Sequence, residues 1–201
     1  MITIVDYGMG NLGSIKNMFK RIGVPAVVSS DLETISSASK LLLPGVGAFD
    51  KAMARINNSE LRQLLDRKAL EERVPVLGIC LGMQLLTCAS EEGDSAGLGW
   101  IAAKATRFPI MPDLKVPHMG WNVVTPTRES SLTKGLPEDS RFYFVHSYCV
   151  HVDNEEDSLL KTDYGRRFDS AIQHDNIYGC QFHPEKSHKF GMKLLENFAS
   201  L

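Results

Sequence analysis

The sequence predicts an α/β protein in three layers, a mostly parallel central sheet with helices on both faces, joined to a β-rich C-terminal half. Three observations predict it. Through residues 2–90 short apolar runs alternate with amphipathic stretches, the pattern of parallel strands joined by crossover helices. After Leu98 the segments shorten and are punctuated by Pro, Gly, Asp and Asn. The chain has 201 residues, 43% apolar and 23% charged, an ordinary balance for a globular protein long enough to bury a core without staples. It carries no repeat, low-complexity tract or Ser/Gly linker, so one domain over 1–201 is expected.

The elements follow in order. Residues 2–6 (ITIVD) read as a buried strand. A Gly-rich turn leads to a helix over 12–22, with Ile15, Met18, Phe19 and Ile22 on one face and Gly23 as its stop. Residues 25–29 form the next strand and 31–38 a short polar helix. Residues 40–43 form a third strand, ending in the loop Pro44-Gly45-Val46-Gly47. Residues 49–72 read as helix with a break near Asn57-Asn58, residues 74–79 as a fourth strand, and 81–90 as another helix. In the second half the clearest strands are 142–145, 147–152, 171–173 and 177–182. The last two flank a hairpin turn at His174-Asp175-Asn176. A closing helix over 187–199 turns Phe190, Leu194, Leu195 and Phe198 inward.

Charge narrows the function. Twenty-two basic against 24 acidic residues leave a net charge of −2, which argues against a nucleic-acid groove or a polybasic membrane patch. No apolar run approaches the ~20 residues of a membrane span, and the opening MITIV is too short for a signal peptide, so a cytoplasmic location is expected. Cys80, Cys88, Cys149 and Cys180 lack metal-ligand spacing and read as thiols, at most one of them reactive. No metal and no cofactor are expected.

Gly8-Met9-Gly10-Asn11-Leu12-Gly13 matches the dinucleotide fingerprint, with Asp31 near the place of a ribose-binding acid. Glycines at a strand-to-helix turn are common for backbone reasons alone, and nothing later supplies a second mononucleotide half. NAD binding is not expected.

Leu77-Gly78-Ile79-Cys80-Leu81-Gly82-Met83-Gln84 is the strongest chemical signal. A strand ends, a cysteine sits between two glycines, and a helix begins, as in the G-x-S-x-G nucleophile elbow. The helix N-terminus favours a thiolate at Cys80, and the N–H of Leu81 points where an oxyanion would form. Alone, the motif is equally compatible with a small buried cysteine in a tight turn. Gln181-Phe182-His183-Pro184-Glu185 breaks the tie. A nucleophilic thiol needs a base, and the base needs a group that sets its tautomer; Glu185 can fold back over Pro184 onto His183. His118, His146, His151, His174 and His188 have no carboxylate two residues on across a proline. The glycines of Pro44-Gly45-Val46-Gly47 can present further N–H groups to a developing negative charge.

Gly-x-Cys-Leu-Gly-x-Gln with a distant His-Pro-Glu resembles the triad class (class I) of glutamine amidotransferases. Asp6-Tyr7-Gly8-Met9-Gly10-Asn11-Leu12, Pro44-Gly45-Val46-Gly47 and Pro117-His118-Met119-Gly120-Trp121-Asn122 narrow the resemblance to the glutaminase subunits of imidazole glycerol phosphate synthases. It runs essentially the whole length, through Phe142–Tyr148 and His183–Ser187.

The resemblance implies a class-I glutamine amidotransferase fold and hydrolysis of glutamine to glutamate and ammonia by Cys80, His183 and Glu185. It implies an oxyanion hole at Val46, Gly47 and Leu81, completed by a peptide flip, and a glutamine pocket at Gln84, Glu92, Ser147 and Tyr148. Asn11, Met119, Trp121, Tyr143 and Lys186 match positions that face a (β/α)8-barrel cyclase. That partner would receive the ammonia in a heterodimer and make imidazole glycerol phosphate and an aminoimidazole carboxamide ribotide in histidine biosynthesis. Read from the residues alone, Trp121 suits an interface or a core equally. Two alternatives stay open: a paralogue supplying ammonia for a surface-polysaccharide sugar, and a catalytically silent subunit that only stabilises a partner.

Overall fold

The computed structural model describes every residue except Ser59. In the first half, β1 (Ile2–Val5), α1 (Leu12–Arg21), β2 (Ala26–Ser29), α2 (Leu32–Ser36) and β3 (Lys40–Gly45) alternate as expected. They are followed by α3 (Phe49–Asn57), α4 (Leu61–Asp66), β4 (Val76–Cys80) and α5 (Leu81–Leu85). The second half holds β5 (Ala89–Ser90), β6 (Ala103–Arg107), β7 (His118–Val123), β8 (Thr125–Pro126), β9 (Arg141–His146) and β10 (Tyr148–Val152). Then come β11 (Ser158–Tyr164), β12 (Arg166–His174), β13 (Ile177–Cys180) and α6 (His188–Ser200).

The main sheet runs in the order β2-β1-β3-β4-β13-β12-β10-β6-β5. From β2 to β13 every pair is parallel, whereas β12, β10 and β6 continue it antiparallel. β7 and β9 form a separate antiparallel ribbon. Burial dictates the layering. Ile15, Met18 and Phe19 of α1 and Phe190, Leu194, Leu195 and Phe198 of α6 share one core. Phe49, Met53 and Ile56 of α3 and Leu61 and Leu65 of α4 share the other. Each fully buried Phe or Leu contributes about 1.5–3 kcal/mol of apolar burial.

Several boundaries differ from the sequence expectation: β12 begins at Arg166 rather than 171 and β13 ends at Cys180 rather than 182. β3 does not stop at Leu43 but carries Pro44 and Gly45, paired with Ile79 and Cys80 of β4. The pairing of β3 with β1 ends at Leu42, so Pro44 lies beyond that neighbour and its missing N–H leaves no ladder bond unmade on that side. β4 starts at Val76, after Pro75. The helix expected over 81–90 ends at Leu85, because Leu86 N–H tightens onto the Met83 carbonyl and the Thr87 hydroxyl hooks the Gln84 carbonyl at 2.8 Å. The turn between β12 and β13 holds Asp175 at φ 50°, at the expected hairpin position.

The last strand in sequence is the one that matters for the site. β13 enters beside β4 with Gly179 opposite Gly78 and Cys180 opposite Ile79. The C-terminal ends of β3, β4 and β13 therefore lie side by side, the edge at which open α/β sheets bind ligands. Among the described residues no helix is long and apolar enough to cross a membrane, and no cluster of His, Cys, Asp and Glu could hold a metal.

Candidate active site

Cys80 ends β4 and precedes α5 with φ 56° and ψ −109°, a left-handed conformation in a residue other than glycine. Such backbone strain costs about 1–3 kcal/mol and persists only where the surroundings enforce it. They do so here through close approach. A Cβ on Gly82 would fall on the Leu43 carbonyl, so α5 can start against β3 only with glycine at that position. Cys80 is 7% exposed.

His183 follows the end of β13 and is buried. Its Nδ1 stands 2.8 Å from Oε1 of Glu185, with the two side chains 3% and 2% exposed. Since the carboxylate accepts, Nδ1 carries the proton and Nε2 is the free position of the ring. Nε2 is buried and meets no partner at full hydrogen-bond geometry among the described residues. Burial alone would push the pKa of His183 down. The Cys80 side chain and then the Glu185 carboxylate outweigh it and hold it up at about 9. His183 is thus a strong base beside the thiol, with its tautomer held by Glu185.

A cavity of about 380 Å³ opens on the sulfur. Val46, Gly47, Cys80, Leu81, Gln84 and Glu92 line it together with Val145, His146, Ser147 and Tyr148. Leu81 is the first residue of α5, whose first-turn N–H groups have no intrahelical acceptor. Gly47 has φ 114° and Val46 is 45% exposed, so this stretch can hold alternative peptide orientations. It is tethered just upstream, where the buried Tyr7 hydroxyl donates to the Pro44 carbonyl. Glu92 Oε2 accepts the N–H of Phe49 at 3.1 Å, capping α3 where Ala48 cannot. Two larger depressions, near Arg128 and between α2 and α4, contain no cysteine and no histidine among their lining residues.

The other expected positions lie away from the cavity. Met119 and Trp121 project from β7, 61% and 45% exposed. Trp121 meets the edge of Tyr143 at 6.4 Å and stacks on His188 at 5.5 Å, while Lys186 lies over Tyr143 at 5.6 Å. Met119, Trp121 and Tyr143 lie on the ribbon, and Lys186 and His188 pack over its two rings. Asn11 caps α1, accepting the Ser14 N–H at 3.3 Å. The dinucleotide fingerprint is answered by the same turn. A Cβ on Gly13 would meet nothing within 4 Å, so the close packing demanded of the third glycine is absent. Asp31 spends its carboxylate capping α2 through Thr34 at 2.8 Å.

Sequence reading missed Gln181, which donates to the Cys80 sulfur at 3.7 Å, and the buried pair His118–His146 at 2.9 Å. The signal for Gln181 was a long polar side chain between Cys180 and Phe182 in an otherwise apolar strand end.

A cysteine at a strained strand-to-helix turn, a buried His–Glu pair and a cavity with room for an amino acid form the arrangement that thiol acyl transfer requires. A model of the family described as "Glutamine amidotransferase class-I" matches residues 3–200, and the chain belongs to that family. It is 54% identical over 198 residues to the imidazole glycerol phosphate synthase subunit HisH 2 of Methanococcus maripaludis, covering 98% of each chain. It is 50% identical over 201 residues to the subunit of the same name from Pseudomonas aeruginosa, covering 100% of each. A crystal structure of a glutamine amidotransferase shares the fold at a TM-score of 0.77, with 18% identity and complete coverage of both chains.

Proposed function

We propose that this chain is the glutaminase subunit of an imidazole glycerol phosphate synthase, acting through Cys80, His183 and Glu185. The observation that carries the reading is the strained Cys80 beside a buried His183 whose Nδ1 is held by Glu185 at 2.8 Å. Nε2 of His183 first takes the thiol proton, and the Cys80 thiolate then attacks the side-chain amide carbon of glutamine. The tetrahedral oxyanion is held by the N–H of Leu81 and by one from Val46 or Gly47. His183 returns the proton to the departing nitrogen, which leaves as ammonia. The γ-glutamyl thioester is then hydrolysed by a water that His183 deprotonates, releasing glutamate and restoring the thiol. Gln84, Glu92, Ser147 and Tyr148 hold the substrate, with the Glu92 carboxylate toward its ammonium.

The exposed surface of Met119, Trp121, Tyr143 and Lys186, with Asn11, docks a (β/α)8-barrel cyclase. That partner receives the ammonia and makes imidazole glycerol phosphate and an aminoimidazole carboxamide ribotide in histidine biosynthesis. The reading places the reaction in the cytoplasm with its nucleotide substrate. Exposed aromatic and Met side chains of this kind are the common anchors of such interfaces.

Rescue of a histidine auxotroph lacking its own glutaminase subunit tests the pathway. Growth with a functional cyclase present, lost in Cys80→Ala, is expected. Failure to rescue while an electrophilic glutamine analogue still labels Cys80 would favour sugar amination. Failure of the label as well would favour a silent subunit.

A further inference from the structure

Gln181 is fully buried just beyond the end of β13, and a buried primary amide must satisfy two donors and an acceptor. Its orientation follows from proton accounting along a chain of contacts. Nδ1 of His146 stands 2.7 Å from the Tyr148 carbonyl. The amide end of Gln84 stands 3.2 Å from the same carbonyl, so the atom facing it is nitrogen. That nitrogen also lies 3.0 Å from the Gln181 side chain, whose facing atom must accept and is therefore Oε1. The other end of Gln181 is thus its NH2, aimed at Sγ of Cys80 from 3.7 Å.

We propose that Gln181 positions both halves of the site: its NH2 donates to the Cys80 sulfur and favours the thiolate, while its Oε1 holds the Gln84 NH2. Both Gln84 donors are then spent on protein, so only its Oε1 remains to accept N–H groups of the substrate. The titratable groups that interact with the sulfur are His183, Tyr7 and Cys180, with Glu185 behind His183, while Glu92, His146 and Tyr148 line the same cavity. Burial pushes the Tyr7 phenol and the Cys180 thiol up, so both stay neutral. His183 and the Gln181 amide are left to stabilise a negative sulfur. The thiol proton of Cys80 has its own outlet at the Val145 carbonyl, 3.9 Å away, and that contact supports only the neutral form.

The role assigned to Gln84 rests on the glutaminase reading; the role at Cys80 is tested on the thiol alone. The rate of Cys80 alkylation by iodoacetamide is followed against pH by peptide mass spectrometry, which separates it from the exposed Cys88. Gln181→Met is expected to move the midpoint upward by about one pH unit and to slow alkylation at neutral pH about tenfold, with the high-pH plateau unchanged. An unchanged midpoint overturns the proposal. In the unmodified protein, the Gln181 side-chain amide proton should shift downfield in step with the alkylation midpoint. A resonance flat across that range overturns it equally, whether or not the variant folds. Loss of the glutaminase reading would show separately, as glutamate release absent even with the cyclase and its nucleotide ligand and an unaltered alkylation profile.

Discussion

Nδ1–H of His118 donates to Nε2 of His146 at 2.9 Å. The direction is set at both ends. Asn122 Nδ2 reaches Nε2 of His118 at 3.2 Å, and Nδ1 of His146 reaches the Tyr148 carbonyl at 2.7 Å. Every ring nitrogen in this relay has one partner and one role, which requires both rings neutral. Burial keeps them so, pushing His118 down to about 4 and His146 down to about 3. The relay also links places that matter. It starts on β7, beside Met119 and Trp121, and ends on the carbonyl that holds Gln84.

Acid should therefore destabilise the fold through this pair. Their folded pKa values lie below the ordinary 6.5, so their stabilising effect is full above that pH and is lost as pH falls toward 4. Each ring contributes a slope of about 1.4 kcal/mol per pH unit in the lower part of that window. His118→Phe keeps the stacking on Phe144 and Tyr164 but removes one of the two rings that must charge. Urea unfolding between pH 6 and 5 should show a slope smaller in the variant by about 1 kcal/mol per pH unit, the share of one ring. Equal slopes would contradict the neutral pair.

Glu185→Gln should act in the opposite pH direction. His183 has a folded pKa raised to about 9, so its stabilising effect is complete below 6.5 and is lost as pH rises through 9. The substitution removes the carboxylate part of that shift, and the loss of stability between pH 7 and 9 becomes shallower. Glutamate release should fall by about 10²–10⁴-fold, since the base loses both its charge partner and its preferred tautomer. Activity within about twofold of wild type would remove Glu185 from the mechanism.

Two glycine substitutions separate backbone need from motif resemblance. Gly82→Ala drives a methyl onto the Leu43 carbonyl and should cost about 1–3 kcal/mol or more, seen as a lower Tm. Gly13→Ala meets open space in the first turn of α1 and should raise stability by about 0.5–1 kcal/mol. Equal effects at the two positions would show that close packing at the elbow is not what selects glycine there.

The local chemistry was legible in the sequence because it is written in short motifs. Gly-x-Cys-x-Gly demands a tight turn, and His-Pro-Glu places a carboxylate within reach of an imidazole two residues earlier. The strand–helix alternation up to Cys80 was readable for the same reason, each element declaring its own period. What escaped depends on partners distant in sequence. Pro44 and Gly45 look like a loop but are held as strand by Ile79 and Cys80 of β4. Gln181 gains its meaning from residues 84 and 80, about a hundred positions away, which only the insertion of β13 beside β4 brings near. Trp121 fits core or surface by composition; 45% exposure on the ribbon decides for the surface.

Trp121 accordingly gives a prediction about the partner. Trp121→Ala should weaken association with the cyclase by about tenfold or more, as expected for a large aromatic anchor. Labelling of Cys80 by a glutamine analogue should be unchanged in the isolated variant. Undiminished affinity in a binding titration would move the interface elsewhere on the molecule.

The most direct measurement is glutamate release from glutamine by the protein alone, then with the proposed cyclase partner and that enzyme's nucleotide ligand. Release should be very slow alone, on the proposal that the stretch at Val46 and Gly47 completes the oxyanion hole only with the partner bound. It should rise by about a hundredfold or more when both are added, in keeping with the worth of one oxyanion donor, and Cys80→Ala should abolish it. Fast release by the protein alone, or release that survives Cys80→Ala, would contradict a partner-gated glutaminase built on this triad.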